Sequence, residues 1–210
     1  MNKRPQRWEL WRHALGVTVC LAVGWFGIIQ GLRIPIAADA SYGFHEFGHL
    51  MTWFLPEVYR AMMGSLFQVL VPFGLAAYFL LFQRDLLGVS LMLAWTGLSA
   101  HETSAYIADA IGHTMTISPY HLTHDWALAL GELGKLSAAD ELAWIVQAAA
   151  LVCVLVAMGA ASLGAVRAVF EYEHADVAET YLQRAPVTRR NGYEEWALQH
   201  PPAPIREHLP

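Results

Sequence analysis

The sequence predicts an all-α integral membrane protein: a helical bundle with four transmembrane spans plus a membrane-inserted helix, with five full spans as the alternative. Three observations carry this. Of the 210 residues, 56% are hydrophobic and only 15% charged, outside the usual soluble range on both counts. The excess is gathered in long runs without a full charge: between Arg12 and Arg33, between Arg60 and Arg84, from Asp85 to His101, and between Glu141 and Arg167. Runs of about 18 or more such residues read as membrane spans. Lysine and arginine, finally, are distributed unevenly about those runs, as they are in proteins oriented by the positive-inside rule.

The elements follow in order. Residues 1–12 form a basic N-terminus with Lys3, Arg4, Arg7 and Arg12. The first span runs from His13 to Leu32. Ala38-Asp39-Ala40 has the look of a signal-peptide cleavage site, but Arg33 and Pro35 set it far from the apolar run, so a retained signal-anchor is expected. The segment Ile34–Pro56 is apolar at both ends. It is interrupted by Asp39, Tyr42, Gly43 and the motif His45-Glu46-Phe47-Gly48-His49. Ala61–Gln83 and Leu86 to about Ile111 are the next spans. The stretch Gly112–Ala139 is polar and rich in histidine. Ser137 followed by Asp140 predicts a capping box opening the last span, which ends near Val166. The membrane domain thus covers residues 13–170. Residues 171–210 read as a surface helix fading into disorder. Cys20 and Cys153 both fall within spans and read as packed apolar residues, and no CxxC pair is present. The formal charge of -5 gives no reason to expect nucleic acid as a partner.

Charge sets the orientation. With the motif segment crossing fully, Lys and Arg divide 6 inside to 7 outside, which is no bias. With the motif segment dipping in and returning, 10 of the 13 lie inside and only Arg33, Arg60 and Lys135 outside. The second arrangement, with a cytoplasmic N-terminus, obeys the positive-inside rule. Non-spanning backbone at membrane depth is acceptable where protein surrounds it.

His45 and His49 are four residues apart, so on a helix they share a face and can grip one metal ion. Glu46 projects beside them and is free to act as a general base in metal-assisted hydrolysis. Ionisable side chains in a membrane segment are costly and point to function. A catalytic zinc site wants a third protein ligand. Glu102 is the first expectation, because Glu102, Tyr106, Asp109 and His113 lie on one helical stripe of the fourth apolar segment. Asp109, His124 and Asp125 are the alternatives. Asp125 also fits the N-cap of a helix opening at Trp126. Gly64-Ser65-Leu66-Phe67-Gln68 begins the next segment with small residues that permit close helix contact, and its Gln68 amide could bond substrate backbone or a neighbouring helix.

Phe44-His45-Glu46-Phe47-Gly48-His49 in a membrane helix resembles the site-2 protease group of intramembrane zinc metalloproteases. The order of a leading span, a motif helix and a Gly-Ser-x-x-Gln helix is similar too. Residues 45–136 also resemble a set of small bacterial membrane proteins, through Gly64–Gln68, Tyr106-Ile107-Ala108-Asp109-Ala110 and His124-Asp125-Trp126. The resemblance implies a zinc cofactor, peptide-bond hydrolysis of membrane or membrane-proximal substrates, and a multi-pass protein of the bacterial inner membrane, with the lipid bilayer as its surroundings. An acidic third ligand is implied as well, though the aspartate–glycine motif of the site-2 group is absent. A second expectation is a membrane di-iron oxygenase or desaturase: His45-x-x-x-His49 and His121-x-x-His124, with His101 and His113, are similar to histidine boxes, and imidazole with carboxylate suits iron as well as zinc. A non-catalytic metal-binding membrane protein is the third.

Overall fold

The computed structural model describes residues 7–112, 114, 124–184 and 196. Among the described residues the chain is helical throughout, without strands. Helix α1 spans Arg7–Ala22 and continues as a π-helical stretch over Val23–Ile29. Helix α2 spans Pro35–Met51, opened by the proline at its first position, where a missing N–H costs nothing. Helix α3 spans Glu57–Tyr78 and ends in a π-turn, Phe79–Gln83. Helix α4 spans Leu86–Ala108, α5 Asp125–Glu132 and α6 Ala139–Arg184.

Three helical stretches are long and apolar enough to cross a membrane: Leu10–Ile29, Glu57–Gln83 and Leu136–His174. Their outer faces expose large apolar side chains, among them Leu15, Leu81, Phe82, Ile145, Val152 and Leu155. In water such faces would aggregate; in lipid they are the matched surface. These features mark a membrane protein. Helix α4, expected from the sequence as a further span, falls outside that group because Ser, Thr, Gly, His101 and Glu102 dilute its apolar residues. The reason is its position. It is the most buried helix of the bundle, enclosed by α1, α3 and α6, so lipid does not select its side chains. Its small residues let neighbours close in: a side chain on Gly97 would meet Val154 Cγ2 at 2.6 Å and the Ala150 carbonyl at 2.9 Å.

Helix directions follow from these contacts. Gly16 and Gly27 on the α1 side lie against Leu87 and Leu98, and Cys20 Sγ approaches the Ser90 carbonyl at 3.7 Å. Helices α1 and α4 therefore run parallel. Phe79 lies against Gly88, and Gln68 bonds Glu102, so α3 is antiparallel to α4. Helix α6 is antiparallel too, with Gly164 near Leu86 and Gln147 bonded to His101. Since α1 and α3 run in opposite senses, α2 leaves and returns to the same end of the bundle. Its N-terminal half is tied to α4 by buried hydroxyls: Ser41 Oγ pairs with Ser99 Oγ at 2.8 Å and accepts from Trp95 Nε1 at 3.0 Å.

Several local expectations are corrected. Helix α5 begins one residue earlier than expected: His124, not Asp125, is its N-cap, with Nδ1 accepting from the Ala127 amide at 3.3 Å. Ser137 sits in a single 3-10 turn, Leu136–Ala138, and α6 starts at Ala139. Helix α6 does not stop near Val166. It runs unbroken to Arg184, and its 46 residues measure about 69 Å at 1.5 Å per residue, far more than the ~30 Å hydrocarbon core. The remainder of the C-terminal tail, apart from residue 196, lies outside the described residues, as do His113 and His121. Cys20 and Cys153 are free thiols.

Candidate metal centre

The last two turns of α2, the first turns of α3, the end of α4 and the start of α5 meet at one end of the bundle. Two glycines make this possible. Gly48 lies so close to α3 that a side chain there would run into the Met63 carbonyl. Gly64 faces the motif directly: a Cβ at that position would sit 2.5 Å from His49 Nε2 and 2.7 Å from His45 Nε2. Both imidazoles therefore project over a bare backbone.

His45 is 2% exposed and His49 partly buried. Their Nε2 atoms lie 3.1 Å apart. Asp125 Oδ2 lies 3.2 Å from His45 Nε2 and 3.4 Å from His49 Nε2. The three donor atoms form a nearly equilateral triangle. Zinc–nitrogen and zinc–oxygen distances near 2.0–2.1 Å with tetrahedral angles require donors about 3.3 Å apart, so the three side chains fit a tetrahedral divalent cation. Among the described residues these three form the one group of histidine, cysteine and acidic side chains gathered tightly enough to hold a metal.

The surroundings prepare the donors. His49 Nδ1 lies 2.9 Å from the Arg60 carbonyl. A carbonyl only accepts, so the neutral ring carries its proton on Nδ1 and turns a bare Nε2 toward the centre. Asp125 is held by Tyr106, whose hydroxyl accepts from the Asp125 amide at 3.1 Å and donates to Oδ2 at 3.3 Å. Trp126 Nε1 donates to Ser65 Oγ at 3.0 Å and pins α5 to α3. Burial resists ionisation of Asp125, but hydrogen bonds and charge from His45 and His49 outweigh it and hold the carboxyl well below the usual carboxylate range. It is thus an anionic donor at neutral pH.

The structure separates the residues singled out from the sequence. It brings together His45, His49 and Asp125, with half-buried Glu46 next to His45 on the same helix. Glu102, the first expectation for the third ligand, is outside the group. It lies one helical turn below Tyr106 on α4 and accepts from Gln68 Nε2 at 3.2 Å. Gln68 spends its amide on that helix–helix bond, and its own carbonyl has no helical amide to pair with because residue 72 is proline. Asp109, at the C-terminal cap of α4, accepts from the amide and hydroxyl of Thr114 and lies 3.6 Å from His124 Nε2. His124 stacks on Tyr106 at 4.1 Å between ring centroids. His101 pairs with Gln147 at 2.7 Å, away from the triangle. The Ser65–Trp126 bond and the Arg60 carbonyl were invisible as partners in the sequence. Tyr106 was visible as a member of the stripe and of the Tyr106–Ala110 motif, but not as a partner of Asp125.

No protein-family model matches the chain, and neither a curated protein nor a solved structure matches it.

Proposed function

We propose that this chain is a membrane-embedded zinc metallopeptidase acting on membrane or membrane-proximal peptides. One observation carries the reading: the two motif histidines and Asp125 converge with tetrahedral donor spacing beside a glutamate that is not itself one of the donors. His45, His49 and Asp125 would hold the ion, and the bare Gly64 backbone leaves room for it. A bound zinc supplies a Lewis acid for the scissile carbonyl and acidifies water at neutral pH. Glu46 takes the proton of the attacking water and delivers it to the leaving amine. Tyr106 and the Arg60 carbonyl keep Asp125 and His49 oriented through this. Among the described residues the donors form one group of three, which suits one ion, whereas a di-iron centre needs more ligands.

The helix directions support four spans, α1, α3, α4 and α6, with α2 inserted from one side. Arg12 reaches Asp85 at 3.7 Å, and Gly164 packs near His13. Arg12, Arg84 and Arg167 thus gather at the end of the bundle away from His45. By the positive-inside rule that end is cytoplasmic, and the metal centre opens near the outer face of a bacterial inner membrane. The test is N-terminal profiling of membrane proteins from cells producing wild type or Glu46→Gln. New termini that appear with wild type and vanish with Glu46→Gln, at equal metal content, support the proposal. Identical termini in both remove the peptidase reading.

A further inference from the structure

Tyr106 is 4% exposed and touches Asp125, His124 and His45 at once. Its hydroxyl bonds both the backbone amide and Oδ2 of Asp125. Its ring stacks on His124 with an interplanar angle of 28° and presents an edge to His45 at 6.2 Å. Helix α4 and helix α5 meet at this residue, and the chain between them includes the histidine-rich stretch. The carboxylate of Asp125 has two oxygens and a freely rotating Cβ–Cγ bond. The phenol marks one of them, Oδ2, and that is the oxygen facing both imidazoles. The same hydroxyl also accepts from the Asp125 amide, so the backbone and the carboxylate of the ligand are gripped by a single atom.

We infer that Tyr106 is a positioning residue for the metal: it selects Oδ2 of Asp125 as the donor and fixes its direction toward His45 and His49. The inference rests on the metal-centre reading above and adds to it a determinant outside the ligand set. Two alternatives were open to the chain. A phenylalanine would fill the same volume and keep the stack on His124, but would leave the Asp125 amide and carboxylate unguided. A tyrosine whose hydroxyl reached only the amide would cap α5 without choosing an oxygen. The observed geometry does both. Groups that orient a metal ligand in this way typically contribute 10–100-fold in affinity.

The test uses the full-length protein in detergent, stripped of metal and titrated with Co2+ against a competing chelator. Tyr106→Phe is compared with wild type, with circular dichroism and apo-protein melting as checks on folding. The expected result is Co2+ affinity about 10–100-fold weaker in Tyr106→Phe, together with a changed visible absorption spectrum at saturating Co2+. The spectrum is decisive, since a residue that merely supports the fold would lower affinity and leave the saturated spectrum as in wild type. Equal affinity, or an unchanged saturated spectrum, overturns the role of Tyr106 and leaves the metal centre standing. Wild type that takes up no Co2+ overturns both. Tyr106→Ala, which also removes the stack on His124, is expected to lose affinity at least as far and to melt lower than Tyr106→Phe; an affinity above that of Tyr106→Phe contradicts the assignment.

Discussion

Single atoms decide what the motif can do. A helical His-x-x-x-His pair brings two nitrogens together in any protein, but here both face the missing side chain of Gly64. Gly64→Ala is therefore expected to weaken metal uptake by about a hundredfold, the scale of a disturbed metal shell, while helicity stays unchanged. Gly74→Ala, a position with nothing within 4 Å, serves as the neutral control, and metal titration with circular dichroism checks both. The pair itself was legible in the sequence, because its chemistry lies in residue type and spacing. The third donor was not. On paper Glu102 comes first and Asp125 is one of its alternatives, and the choice depends on how α5 folds back. In the folded chain Glu102 is taken up by Gln68, while Asp125 is delivered by a bond between Trp126 and Ser65. Contacts across 61 residues of chain leave no local signature.

At the level of elements, the site is an agreement among four helix ends. Helix α2 can approach α3 only because residue 48 has no side chain. Gly48→Val is expected to push the hairpin apart at a cost of about 1–3 kcal/mol, as overpacking does, read as a melting temperature lower by several degrees and as loss of metal. Gly43→Ala on the open face of the same helix should melt as wild type. Helix α5 is short, eight residues, and too short to be stable alone. Its position rests on the His124 cap, the Trp126–Ser65 bond and packing of Trp126 and Leu130 with Tyr106 and Ile107. Removing the hydroxyl with Ser65→Ala leaves the buried Trp126 N–H unpaired, which costs about 1–3 kcal/mol; thermal unfolding in detergent measures it. Helix boundaries within the apolar runs were legible to within a few residues, since the runs are bounded by charge. A helix from residue 171 was legible too, but not its continuity with the last span, because residues 167–184 lose their apolar character while keeping good helix formers such as Ala, Glu, Leu and Arg. Polarity marks where lipid stops, not where a helix stops.

At the scale of the whole molecule, the most enclosed helix is rich in small side chains. Helix α4 carries Ser90, Thr96, Ser99, Thr103 and Ser104 as buried polar residues. They are affordable because neighbours, not lipid, surround them. That arrangement lets a hydrophilic end of α4 reach α2 and α5 within one bundle, and it predicts a sided topology. A cysteine placed at Trp53, in the α2–α3 turn, should react with a membrane-impermeant maleimide added outside intact cells, and one placed at Arg84, in the α3–α4 turn, should react only after the inner face is opened. The reverse pattern, position 84 labelled from outside and position 53 only from within, is that of five full spans and contradicts the inserted-helix arrangement. The central claim concerns the ion that the four helix ends would hold, and metal content per chain tests it most directly. Elemental analysis of purified wild type, Asp125→Asn and Glu102→Gln should give one zinc per chain in wild type and Glu102→Gln, and none in Asp125→Asn. A wild type that binds no metal or two irons, or a Glu102→Gln variant that loses the ion while Asp125→Asn keeps it, contradicts the account.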